Sequence, residues 1–379
     1  MLALALSHGV APLLCRTFQR SGTRARIPDS IRRRLIDERR ATGLLNLRKY
    51  GEFRRIAQDL RERNIPHIAL KGLHMAELVY CDISLRPMSD LDILVPRLEV
   101  ERTIAALQSI EYGFEDDVSG AAHGMLDTKC NIGFTHRRLG LSVEIHWTLA
   151  ESGDCYAPPM DEIWRSAVPV QLGDADTQVM SPEFLLLHVC AHLACNHVFG
   201  FNLHALCDIA EIVRAQPGLD WEVIADQGRR HGWTRGVAAA LRLAHDHLGA
   251  DVPAEMLAAL GADALAPDLL ADAMEHLLTF SGMPGELVTA PSLLAVASGA
   301  TPWAKCAMLW NRIFVSRAEL SLLYGVPKHS LRLGIYYGIR LRDLLRKYAT
   351  SAWALNVSDP QLAAVAARNA RLARWIAGG

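Results

Sequence analysis

Residues 85–96 read LRPMSDLDILVP, and no other run constrains the fold of this chain as much. Its apolar alternation predicts a buried β-strand, yet two aspartates, Asp90 and Asp92, stand on it. Successive side chains of a strand point to opposite faces, so Asp90, Asp92 and Leu94 share one face while Leu91, Ile93 and Val95 take the other. Two carboxylates side by side in an interior cost several kcal/mol unless something positive lies between them. The fold must therefore bring a cation, or a binder of cations, to this strand.

The bulk of the chain leaves room for that. It has 379 residues, half of them hydrophobic, enough for two or three packed domains. With 40 basic against 41 acidic residues, the net charge of −1 argues against non-specific binding to nucleic acid or anionic membrane over the whole surface. The exception is Arg16 to Arg40, where arginines far outnumber acids; a solvated helix face is the ordinary reading and a basic docking patch the sharper one. Eight cysteines without a CxxC pair read as reduced thiols, which points to a cytoplasmic protein. No run of about 20 apolar residues indicates a membrane span. The N-terminal MLALALSHGVAPLLC lacks the basic start and small-residue cleavage site of a signal peptide, whereas the arginines before Asp29, the first acid, leave an organellar transit peptide open.

Helical periodicity covers residues 2–20 and 30–64, after which the period changes. HIALKG (67–72) is a short apolar run ending in glycine, a strand entering a tight turn. A helical turn or two at 73–80, the LDILV strand and an amphipathic helix over 97–109 follow. CNIGFTH and LSVEIHWTL, separated by RRLG, predict an antiparallel hairpin. Ser181, Pro182 and Glu183 then supply an N-cap, an N1 proline and a first-turn acid to a helix apolar nearly all round, and helical patterns continue to the end. The expected fold is α+β: N-terminal helices (1–45), a small mixed-sheet core (46–170) and a larger all-α domain (171–379).

Two divalent cations would meet the charge requirement. Magnesium is held by one or two carboxylates plus substrate phosphates, and a two-metal site stabilises the attacking and leaving oxygens of a phosphoryl or nucleotidyl transfer. Asp90 and Asp92 suit this because i and i+2 project in parallel. Glu144, alternating with Val143 and Ile145 in LSVEIHW, is the candidate third carboxylate, with His146 on its face. The Gly72 turn can present backbone N–H groups to phosphate, with Lys71 and Arg86 as nearby cations.

In this order, LKG, then Arg86 ahead of DLDILV, then VEIHW, the chain resembles the DNA polymerase β-like nucleotidyltransferase superfamily. It is most similar to a branch of uncharacterised bacterial nucleotidyltransferases, and the likeness continues into LLHVCAHLACNH, LHALCDIAEIV and LDWEVIADQGRRHGW. The resemblance implies a Mg²⁺-dependent enzyme moving a nucleoside monophosphate from an NTP, ATP the expected donor, to an acceptor that is a small molecule, a peptide or RNA. By matching position, Asp90, Asp92 and Glu144 are the metal ligands, and Lys71-Gly72 is the nucleotide-binding turn. The superfamily usually carries Gly-Ser or Gly-Gly nearer the first aspartate; here Gly72-Leu73 stands 18 residues ahead, so the triphosphate contact falls to Ser89, Lys71 or Arg86.

Three further readings stay open. His146 orients Glu144, meets phosphate, or is a strand-end polar residue. His188, His192 and His197 are core histidines, lining of the transferase cleft, or a metal site. Asp208 pairs with a histidine or walls the acceptor pocket. Beside the active transferase stand a relaxed nucleotide- or partner-binding protein of the same fold, a toxin-type transferase acting on tRNA, and a histidine-cluster metallohydrolase.

Overall fold

The computed structural model describes residues 2–20, 27–114, 126, 129–151, 156–280, 314, 320, 330, 332–342 and 360–378. The chain is a mixed α+β protein in two compact units: residues 1–115, 130–196 and 202–265 form the first, and 116–129, 197–201 and 266–379 the second.

The first unit opens with α1 (Leu2–Ser7), α2 (Ala11–Arg20) and the long α3 (Asp29–Glu62). Helix α3 is charged outside, but Asn46, Lys49, Tyr50, Phe53, Ile56, Ala57 and Leu60 recur at three- and four-residue intervals and are all buried. Phe53 and Ile56 are wholly enclosed, and truncating such an aromatic to alanine costs about 3–5 kcal/mol.

A seven-stranded sheet lies against this face, in the order β3-β4-β5-β2-β1-β7-β6. Its strands are β1 (Ile68–Ala69), β2 (Leu91–Leu94), β3 (Tyr112–Phe114), β4 (Asn131–His136), β5 (Ser142–His146), β6 (Val168–Leu172) and β7 (Ala175–Val179). The expected β4–β5 hairpin forms. Strands β3, β6 and β7 add to the expected set: β3 is three residues long, and β6 turns three of its five residues to solvent, so neither carries an apolar signature. β1 is central and pairs with β2 antiparallel and β7 parallel; β2 in turn pairs with β5 in parallel.

Between the strands lie α4 (Lys71–His74), continued by a π-helical turn over Met75–Val79, then α5 (Val100–Ser109) and α6 (Met160–Ser166). Helix α7 (Pro182–Ala191) starts as its sequence demands: Ser181 Oγ accepts from the Phe184 N–H at 3.4 Å, a cap that contributes about 1 kcal/mol. Phe184 through Ala191 are all buried. The helix ends in a second π-helical turn, His192–Asn196. Helices α8 (Leu203–Ala215), α9 (Trp221–Arg230) and α10 (Thr234–Leu248) pack around it, and α11 (Ala254–Ala259) packs on α9 and α10.

In the second unit the helix Pro267–Phe280 packs on Pro360–Ile376, with Arg368 paired to Asp272 and Glu275. The helical patterns expected over 281–313 and 343–359 fall outside the described residues, as do 21–26 of the arginine-rich segment. Among the described residues, no helix is long and apolar enough to cross a membrane.

Candidate active site

Strand register builds the site. β5 lies directly beside β2, and Asp92 stands opposite Glu144. In parallel neighbours, opposed residues point to the same side, so the two carboxylates share a face. His146, two residues on from Glu144, completes the group: one ligand atom each from Asp92, Glu144 and His146 lie within 4.8 Å of one another. Asp90 sits just before β2, half-buried, with one carboxylate oxygen accepting from Ser89 Oγ at 2.9 Å.

The positive charge that the paired aspartates require comes first from the protein itself. His146 Nε2 is 3.0 Å from Asp92 and 3.3 Å from Glu144, and Lys71 Nζ is 3.6 Å from Asp92. Burial opposes ionisation of Asp92, but Lys71 and the His146 hydrogen bond outweigh it and hold the carboxyl well below its usual range. His146 is the mirror case: burial works against its charge, while hydrogen bonds with Asp92, Cys130 and Glu144 lift it to about 10. Those hydrogen bonds favour its imidazolium form. Glu144 is further held by Asn131 Nδ2.

Lys71 and His146 face three carboxylates here, with Lys49 in the field of Asp90 and Arg86 in that of Asp92. Asp90 is the least compensated: burial, then the charges of Asp92 and Glu144, push its carboxyl upward, with Ser89 and Lys71 offsetting them only in part. A carboxylate-rich face with repulsion at Asp90 fits a hard divalent cation, which oxygen donors prefer. The side chains gathered closely enough to hold one are Asp92, Glu144 and His146, with Asp90 beside them.

Lys71 opens the turn after β1. Its φ of 27° lies on the left-handed side, and the next residue, Gly72, leaves room for the Met88 side chain. A Cβ on Gly72 would fall 2.8 Å from Met88 Sδ and 3.3 Å from Arg86 Nη1, because the 86–88 loop crosses directly over the turn. Lys71 Nζ also lies 3.2 Å from His192 Nε2, which brings the first residue of the α7 π-turn into the site. Beneath it, His188 is buried and held neutral, by burial first and by the charges of Lys71 and His146 next.

Arg86 and Asp208 pair with each other, beside the Gly72 turn. Arg86, expected to contact phosphate, gives Nε (3.0 and 3.1 Å) and Nη2 (3.0 Å) to the Asp208 carboxylate on α8. Tyr80 OH donates to the same carboxylate at 2.8 Å, and all three are buried. The residues that the sequence singles out thus divide into two groups. Asp90, Asp92, Glu144, Lys71, His146 and His192 come together, with Ser89 and Gly72 at the margin, while Arg86 and Asp208 form a cluster of their own.

One set of residues is not among those the sequence singles out. Asn46 Nδ2 donates to the Ile83 and Arg86 carbonyls (2.6 and 2.8 Å), Lys49 Nζ to the Met88 carbonyl, and Tyr50 OH to the Leu73 carbonyl at 2.6 Å. A signal for them exists: 46, 49 and 50 continue the apolar series 53, 56, 57 and 60 along α3.

A mixed sheet that sets paired acids before a basic turn, with a glutamate on the next parallel strand, defines an enzyme of nucleotidyl transfer. The chain belongs to the family described as uncharacterised nucleotidyltransferase, whose model matches residues 1–249 and so spans every group of this site. No curated protein matches the chain.

Proposed function

We propose that this nucleotidyltransferase moves an NMP from an NTP to a hydroxyl-bearing acceptor with the aid of Mg²⁺ held by Asp90, Asp92 and Glu144. The observation that carries this is the register of Asp92 against Glu144, which gathers the carboxylates into one face with repulsion at Asp90. The same layout supports a place in the DNA polymerase β-like superfamily. Bound cations would neutralise charge on the transferring phosphate and its leaving group. The chain's own groups do the rest. Lys71, already poised over Asp92, is the cation for the triphosphate, and His192 keeps its ammonium aimed. Ser89 fixes Asp90, and His146 fixes both Asp92 and Glu144. Glu144, more open than its strand neighbour Asp92, faces the place where an acceptor hydroxyl would lose its proton. Fixed charges of this kind accelerate transfer because they need no reorganisation as the reaction proceeds.

The reading is tested by thermal unfolding with each NTP, with and without Mg²⁺, for wild type and Asp90→Asn. A ligand at 100 times its Kd adds about 2.7 kcal/mol of stability. The expected result is a Mg²⁺-dependent shift in wild type that Asp90→Asn loses, the preferred base naming the donor. NTP binding that is indifferent to Mg²⁺ and to Asp90→Asn would replace the transferase reading with a relaxed nucleotide-binding one.

A further inference from the structure

The stretch between the nucleotide turn and the aspartates, residues 82–90, contains no helix or strand. Within the loop Ser89 Oγ donates to Asp90 and the Leu85 N–H to the Asp82 carbonyl, while its other buried carbonyls must find donors elsewhere. They find them on one helix. Asn46, Lys49 and Tyr50 stand at i, i+3 and i+4 of α3, so they form one face. They are only 1%, 6% and 4% exposed. Four of their hydrogen bonds end on main-chain carbonyls, Ile83, Arg86 and Met88 in the aspartate loop and Leu73 in the nucleotide turn, and Tyr50 also bonds the Glu77 side chain. Met88 ties the two together, since its carbonyl takes Lys49 while its side chain packs on Gly72.

The use of lysine at position 49 is the informative choice. A neutral amide would satisfy the Met88 carbonyl without the cost of burying an ammonium. Lys49 lies in the field of Asp90, the acid left without a full counter-charge, and it grips the chain two residues before it. We infer that the Asn46–Lys49–Tyr50 face of α3 positions the catalytic loop, with Lys49 setting Asp90 for the cation and Tyr50 setting the Lys71-Gly72 turn for the nucleotide. These are positioning residues, acting through the loop and turn carbonyls they bond. The inference rests on the function proposed above and assigns a part of the machinery to a helix outside the sheet.

The test uses the full-length chain and two variants that keep side-chain bulk. Lys49→Met removes the charge and the donor, and Tyr50→Phe removes only the hydroxyl while its ring stays under Gly173. The readout is the concentration of Mg²⁺, and separately of NTP, that gives half of the maximal shift in unfolding temperature. Lys49→Met is expected to raise the Mg²⁺ requirement at least about 10-fold, and Tyr50→Phe to weaken NTP about 3-fold at saturating Mg²⁺. A role confined to stability would lower the unfolding temperature and leave both half-saturation points at wild-type values, and that result overturns the inference. If Lys49→Met does not fold, Tyr50→Phe decides on its own by the same criterion. Asp90→Asn separates the two readings. If it loses the Mg²⁺-dependent shift while both α3 variants behave as wild type, only the positioning role falls; if it keeps the shift, the metal site itself falls and the positioning role with it.

Discussion

Two charge clusters lie within a few residues of each other on the same segment, and they are built on opposite plans. Arg86, Asp208 and Tyr80 are closed: the guanidinium meets the carboxylate with both ends of its fork, the phenol donates to it as well, and all are buried. Asp90, Asp92, Glu144, Lys71 and His146 are open: the acids repel one another at Asp90, and Asp90 and Glu144 are only half-buried. A satisfied cluster specifies structure, whereas an unsatisfied one is a demand for a ligand. Residue type alone separates them poorly, since Arg86 has the chemistry of a phosphate binder and also ties the aspartate loop to α8.

The contrast is broken most severely from the closed side. Asp208→Ala strands a buried guanidinium and is expected to cost about 3–5 kcal/mol, read by urea unfolding. Arg86 and Asp208 replaced together by apolar residues of similar volume should recover much of that loss, because the stranded charge is the main penalty.

A second large effect is acid sensitivity on the structural side of the turn. His74 in α4 is buried, and burial brings it down to about 4. The folded state therefore binds this proton more weakly than the unfolded chain does. Stability is complete above about pH 6.5 and falls as pH drops toward about 4, by about 3 kcal/mol from this group. Urea midpoints at pH 7.5, 5.5 and 4.5 report it as the part of the slope that His74→Asn removes, the remainder belonging to buried histidines such as His188 and His204.

Ser181→Ala serves as a reference outside both clusters. It removes the α7 cap and costs about 1 kcal/mol with no change in Mg²⁺ or nucleotide response. The smallest expected effect is the most diagnostic. Without added cation, Asp90→Asn should unfold at the same temperature as wild type or slightly higher, because it relieves repulsion from Asp92 and Glu144. A marked loss of stability would mean that Asp90 belongs to a satisfied network after all.

Much of the open cluster is legible in the sequence because strands impose a period of two. Asp90, Asp92, Glu144 and His146 can be put on faces by counting, and the Ser181-Pro182-Glu183 start of α7 follows from capping rules. The closed cluster is not legible, since Arg86 and Asp208 are 122 residues apart and nothing local pairs them. The same limit hides Asn46 and Lys49, whose partners are carbonyls on a loop 37 to 40 residues away. Strands β6 and β7 escape notice for a different reason: VPVQL turns three residues to solvent and ADTQV is polar at three of five positions, and their place comes from β7 pairing with β1 and β6 with β7.

The register of β5 against β2 also bears on how such a chain can change over generations. Glu144 meets Asp92 in one alignment only, and a shift by a single position would bring Val143 or Ile145 there and turn the carboxylate to the opposite side. Insertions or deletions inside β5 are therefore tolerable only in pairs. The hairpin turn at Arg137–Gly140 lies outside that alignment and is free to vary in length. Lineages of this enzyme should accordingly record their history in the turn while the strand keeps its count.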